Sequence, residues 1–172
     1  EVRALVDYCD ERSLPLWLVS EQRSRFNYHF NDRVPVVMAE IHTEIPKRCD
    51  LHTMLQEPVV KAVMFLTAQE VREGPLSFMP HARSTQWFIH GQDIIPAEGG
   101  KLPAMRFMAE ANGWTPDELM AFGDSENDNE MLRYAGTGVA MGNALEETKA
   151  ASDYVTDDCD DEGVAHALAH FA

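Results

Sequence analysis

Four carboxylates crowd into seven residues, where Asp124, Glu126, Asp128 and Glu130 follow the short apolar run Ala121-Phe122 and Gly123. Carboxylates this close repel one another unless a cation or full exposure to water relieves them. A run ending in glycine reads as a strand, and open α/β sheets bind ligands beyond the carboxyl ends of their strands, which favours the cation. The plainer reading is a solvated helix start, where acids gain roughly 0.3–1 kcal/mol each from the macrodipole. A calcium hand fits poorly, because Asn129 stands where the loop needs glycine and Ala135 where it needs its last glutamate. The second acidic run, from Asp157 to Glu162, fails the same way and suits a solvated turn.

Lys101 is the second signal. A lysine opening a helix opposes the dipole and usually extends into water. Behind Gly99-Gly100 and the free N–H groups of a helix start, it could instead help hold a phosphate.

The elements around these residues follow from periodicity. Residues 1–12 carry Val2, Leu5, Val6 and Cys9 at helical spacing; residues 16–19 read as a buried strand. Phe26, Tyr28 and Phe30 alternate with polar residues, which predicts a half-buried strand turning at Asn31-Asp32. Three prolines (Pro35, Pro46, Pro58) leave residues 34–58 ambiguous. Strands are expected at 59–66 and at 87–89. From His90 the pattern becomes strand (Ile94, Ile95) and then helices and strands in alternation. The helices fall at 101–111, 128–134, 145–151 and 163–171, and the strands at 119–122, 138–141 and 154–156. Thr115-Pro116-Asp117-Glu118 forms a capping box. Such alternation predicts βαβ units and a parallel sheet, hence an α/β fold.

Bulk composition narrows the function. A net charge of −15 argues against nucleic acid or an anionic membrane as partner. It leaves a phosphorylated small molecule open, since a divalent ion and one lysine can override the global field. The three cysteines, Cys9, Cys49 and Cys159, show no metal or disulfide spacing and suit a reducing, cytoplasmic setting. No apolar run is long enough for a membrane span. Glu1 lies within a helical pattern without an initiator methionine, so further sequence upstream is expected.

The order Lys101, then Gly123-Asp124-Ser125-Glu126-Asn127-Asp128, then Gly138-Val139-Ala140-Met141-Gly142-Asn143 resembles the haloacid dehalogenase-like hydrolases, and within them the Cof-type (subclass IIB) sugar-phosphate phosphatases. The likeness implies that residues 89–172 form the carboxyl-terminal half of that Rossmann-like core. Residues 1–88 resemble, more loosely, the subgroup's α/β cap of the C2 type, which sets substrate specificity. It further implies Mg²⁺ on Asp124, with Asp128 supporting the loop or binding a metal-bound water. Asn127 would bond the substrate phosphate, and Lys101 would neutralise it and position the attacking carboxylate. These are the tasks of phosphoryl transfer: positioning and charge stabilisation. The partner would be a small phosphorylated metabolite, hydrolysed through an aspartyl-phosphate.

Two departures matter. Leu102-Pro103 follow Lys101 where the family commonly has glycine, which a first helical turn tolerates. More seriously, no D-x-D-G-T segment, the family's nucleophile and acid/base, occurs in the 172 residues. The chain alone is therefore expected to be inactive. Ser20 imitates the family's strand-ending hydroxyl, but Glu21-Gln22 do not fit what should follow. His166 and His170, four apart, are at best a weak metal pair. Phe26, Tyr28, His29 and Trp87 are the aromatic and imidazole groups that could meet a substrate in the cap. The rivals are a phosphotransferase or mutase of the same superfamily, a non-catalytic metal- or phosphate-binding regulator, and a free-standing calcium binder.

Overall fold

The computed structural model describes residues 1–172 as two compact units, Glu1–Glu98 and Gly99–Ala172. The first is built on an antiparallel sheet of strands β1 (Leu16–Ser20), β2 (Ser24–Phe26), β3 (Val59–Met64), β4 (Ala82–Phe88) and β5 (Gly91–Pro96), in the order β2-β1-β3-β5-β4. Helix α1 (Val2–Glu11) lays Leu5, Val6 and Cys9 on one face of it, against Leu16, Leu18, Ala62, Met64 and Ile94. Helix α2 (Arg33–Glu40) covers part of the other face, where Val34, Val37 and Met38 pack on Phe26, Val63 and Phe65. Pro35 sits in its first turn, the one place where a helix tolerates the missing N–H.

Helix α3 (Ala68–Glu73) begins with a reciprocal cap: Thr67 N donates to Glu70 Oε2 at 2.7 Å and Glu70 N donates to Thr67 Oγ1 at 3.3 Å. Arg33 forks onto the same carboxylate at 2.7 and 3.2 Å, and this guanidinium, aided by Thr67, holds the Glu70 pKa down at about 2. A depressed carboxylate stabilises the fold above its ordinary value near 4.5, and the gain fades as pH falls toward 2. Because the pair is half-exposed, water screens it to about 1 kcal/mol. Glu70→Gln should therefore lower the urea stability by that amount at pH 7 and by much less at pH 2.5. An equal loss at both pH values would contradict the assignment.

The second unit holds a parallel sheet in the order β6 (Met120–Gly123), β7 (Thr137–Ala140), β8 (Tyr154–Val155). Helices α4 (Lys101–Asn112), α5 (Asn129–Tyr134), α6 (Glu146–Lys149) and α7 (Gly163–Phe171) alternate with these strands. Ala121, Leu132 and Ala135 form the core, with Met105, Leu119 and Met131 packed on it. Helix α4 ends at Gly113 in the left-handed region (φ 72°), where the Gly113 and Trp114 amides donate to Glu110 O at 3.2 Å and Ala109 O at 2.9 Å. No helix is long and apolar enough to cross a membrane.

The protein is thus α/β with a parallel sheet, as its alternation predicts, but two expectations need correction. The strand at Ile94 and Ile95 pairs with β3 and β4, so the division falls after Glu98 and not after residue 88. The strand expected through Tyr28 and Phe30 stops at Phe26, leaving Tyr28 66% and Phe30 48% exposed. Buried Asn27 causes the stop. Its side chain accepts from Leu16 N at 3.0 Å and donates to Leu14 O at 2.8 Å, so backbone groups that a continuing ladder would use are already satisfied.

Candidate active site

Strand β6 ends at Gly123, and the chain turns through Asp124 and Ser125 into one 3₁₀ turn (Glu126–Asp128) that continues as α5. Asp128 folds back beneath this turn and is 1% exposed. Its Oδ2 accepts from Asp124 N at 3.0 Å and Ser125 N at 3.2 Å; its Oδ1 accepts from Lys101 Nζ. Gly123 makes room for this. A Cβ there would overlap Asp128 Cβ and lie 2.8 Å from its Cγ, so any side chain would expel the carboxylate.

The turn is braced from behind by the connection between β7 and α6. Met141 N donates to Gly123 O at 2.9 Å and Leu145 N to Asp124 O at 3.1 Å. The Asp124 backbone is therefore fixed at both its N–H and its carbonyl, while its side chain is exposed and touched only by Ser125 Oγ at 3.1 Å. Asn127 Oδ1 lies buried without a protein partner, as does Asn129 Oδ1. A buried amide oxygen in that state awaits a donor or a cation.

The residues fit a hard divalent ion. An exposed carboxylate on a fixed backbone, in a turn that also holds an unpartnered amide oxygen, offers oxygen donors of the kind Mg²⁺ takes together with water and phosphate oxygens. They fit it unequally. Asp124 is free to bind, whereas both oxygens of Asp128 are occupied by protein donors. Asp128 thus shapes the turn and holds Lys101, which is, of the two roles expected for it, the one that supports the loop. Lys101, its side chain 48% exposed, remains tied to the turn at the head of α4.

Lys101, Asp124, Asn127 and Asp128 are therefore brought to one end of the parallel sheet, and other expectations resolve elsewhere. Ser20 belongs to the first unit, where its hydroxyl donates to Glu57 Oε2 at 2.8 Å and accepts from Arg23 N at 3.2 Å. His166 Nδ1 contacts Asp157 Oδ2 at 2.8 Å while His170 stacks on Tyr154, so the two do not converge. Phe26 is core, His29 contacts Asp10, and Trp87 Nε1 donates to Asp93 Oδ1 at 3.0 Å. Sequence reasoning missed the Leu145 brace and Asp153, whose Oδ2 accepts from Gly138 N at 2.8 Å to set the start of β7. An aspartate immediately before the β8 segment was the only hint of the latter.

Known proteins resemble this chain over most of its length. A sequence profile of the haloacid dehalogenase-like hydrolases matches residues 1–168. YkrA of Bacillus subtilis (strain 168) is 29% identical over 167 residues, which is 97% of this chain and 64% of YkrA. A phosphoglycolate phosphatase of Methanothermobacter thermautotrophicus is 33% identical over 152 residues, 83% of this chain and 67% of that enzyme. Among solved structures, the subclass IIB sugar phosphatase BT4131 superposes with a TM-score of 0.85 at 29% identity. That match covers 99% of this chain and 65% of BT4131. The chain spans just under two thirds of the length of YkrA and BT4131.

Proposed function

Since the chain belongs to the haloacid dehalogenase-like hydrolases, in their Cof-type group, we propose that it supplies the cation and phosphate wall of a Mg²⁺-dependent phosphatase. The substrates in this reading are small phosphate monoesters, sugar phosphates foremost, and the first unit is the cap that selects among them. The observation that carries it is the single turn in which Asp128 ties Lys101 to the backbone of Asp124 while the Asp124 carboxylate stays open.

Asp124 would hold the ion together with phosphate oxygens and water, and Mg²⁺ so placed would neutralise charge on the transferring group. Asn127 would orient the phosphate, and Lys101 would offset its negative charge from the opposite side. Asp128 keeps these groups in register. The field of the unit supports a cation requirement. From residue 99 onward the chain carries 4 Lys and Arg against 15 Asp and Glu, so a dianion approaching this turn meets repulsion that one lysine does not cancel. The three free cysteines suit the cytoplasm.

These residues bind and orient but include no nucleophile, because the D-x-D-G-T carboxylates have no counterpart among the 172. We expect the chain to release no p-nitrophenol from p-nitrophenyl phosphate with Mg²⁺ present. It should nevertheless bind orthophosphate in a Mg²⁺-dependent manner, which ³¹P NMR titration with and without the ion would detect. Phosphate binding unaffected by Mg²⁺ would sink the assignment of this wall, and turnover by the chain itself would show that it carries its own nucleophile.

A further inference from the structure

Helix α2 is held over the sheet by a strap: residues 27–32 lead into it and residues 41–49 lead out. The outgoing limb returns along the free edge of β2, where Phe26 N donates to Lys47 O at 3.1 Å and Cys49 N to Phe26 O at 2.9 Å. The incoming limb and the 51–54 turn that follows the outgoing one meet the same feature, the acidic face of α1. Asp7 and Asp10 are three residues apart and so lie on one side of the helix. On the incoming limb, His29 Nε2 is 3.0 Å from Asp10 Oδ1. Just beyond the outgoing limb, His52 Nε2 is 2.8 Å from Asp7 Oδ1. Its Nδ1 is 2.9 Å from Asp50 Oδ1 and 3.9 Å from Asp10 Oδ2.

The chemistry of imidazole makes this arrangement conditional. A neutral ring has one N–H donor and one lone pair, and a lone pair aimed at a carboxylate is repelled. With both nitrogens of His52 on carboxylates, the contacts require the doubly protonated ring. No lysine or arginine replaces it, and His29 reaches Asp10 alone, a single contact that a neutral ring can make as donor. Arg12 is engaged by Glu11 at 3.2 Å and lies 4.1 Å over the Tyr8 ring. Burial pushes the Cys9 thiol up to about 12, so it stays neutral, and Cys49 Sγ only accepts from Thr53 Oγ1 at 3.8 Å. Without the imidazolium, Asp7, Asp10 and Asp50 would face one another with one donor fewer.

We propose that the Asp7–Asp10 face of α1 is a proton-operated clasp, closed on the strap that carries α2 while His52 is charged and released when His52 loses its proton. Bonds to Asp7 first, then to Asp50, raise the His52 pKa above its ordinary 6.5. A raised histidine stabilises the closed form fully below that ordinary value. The stabilisation is lost as pH rises through the raised one, so the clasp loosens on the alkaline side. Release would loosen the outgoing limb of the strap where it joins the 51–54 turn, while α2 keeps Val34, Val37 and Met38 packed on Phe26, Val63 and Phe65. This inference is independent of the phosphate turn in the other unit.

NMR of the full 172-residue chain between pH 5.5 and 9 tests it. The His52 ring nitrogens should report an imidazolium at pH 6. Amide exchange across residues 41–52, corrected for its intrinsic pH dependence, should rise by roughly threefold or more as that ring deprotonates, while β3 amides stay constant. In His52→Gln, which offers no charge and can donate to one carboxylate at most, strap exchange should be fast and free of that step. A neutral His52 ring at pH 6, or corrected strap exchange that is flat across its titration in the wild type, overturns the proposal without reference to the variant.

Discussion

Replacing Asp128 by alanine should destabilise the second unit by about 3 kcal/mol, more than any other single change in the acidic turn. The cost arises unequally from its three contacts. Lys101 is half-exposed, so on losing its partner it recovers hydration and contributes little to the loss. The Asp124 and Ser125 amides, 3.0 and 3.2 Å from Oδ2, would instead be left facing the space the carboxylate had filled. Unsatisfied buried donors cost roughly 1–3 kcal/mol each. The void is a further penalty, because the Gly123 backbone already lies against the Asp128 side chain and would line it. Asp128→Asn should lose less, since an amide keeps the shape and one acceptor while turning its NH₂ toward either Lys101 or the two backbone N–H groups. Urea denaturation followed through backbone amide resonances of β6 and β7 measures both variants. A loss below 1 kcal/mol for alanine would mean that Asp128 is not what holds the turn.

That Asp128 works inward was one of two roles the family resemblance implied, and the residues alone did not choose between them. Lys101, Asp124, Asn127 and Asp128 could be singled out as candidates because a strand end, a glycine and acids at short intervals are written contiguously, and the helix starts around them carry their own caps. The residues 163–171 show the same legibility, as apolar spacing between a glycine and the chain's last residues matches Gly163–Phe171 residue for residue. Periodicity reports how a segment is half-buried, not what it pairs with. Ile94 and Ile95 therefore announced a strand, but only the antiparallel register with β3 and β4 reveals which unit owns it. Phe26, Tyr28 and Phe30 alternate convincingly, yet Asn27 between them diverts the backbone through bonds to Leu14 and Leu16. Contacts between distant segments are hidden for the same reason. The Leu145 amide behind Asp124 and the His52–Asp7 contact, 45 residues apart in the chain, leave no local trace.

Asp124→Asn should do the opposite of Asp128→Ala, leaving stability within about 0.5 kcal/mol of wild type while removing divalent-ion affinity by about 100-fold or more. The two aspartates are four residues apart and share a turn, but their surroundings divide the labour. The Asp124 main chain is held through its N–H by Asp128 and through its carbonyl by Leu145 at 3.1 Å, so nothing in the fold depends on its carboxylate. Only Ser125 Oγ contacts that carboxylate, at 3.1 Å, and an amide oxygen can accept the same bond. For a hard cation the exchange is severe, because the negative charge that repays the dehydration of Mg²⁺ is gone and a weaker neutral oxygen replaces it. Calorimetric titration with Mg²⁺ in the presence of orthophosphate, set beside urea denaturation of the same samples, separates the two effects. Unchanged Mg²⁺ affinity in a fully folded Asp124→Asn protein would move the ion elsewhere. Joint loss of affinity and stability would show that the carboxylate is part of the scaffold, and the division between an outward Asp124 and an inward Asp128 would then fail.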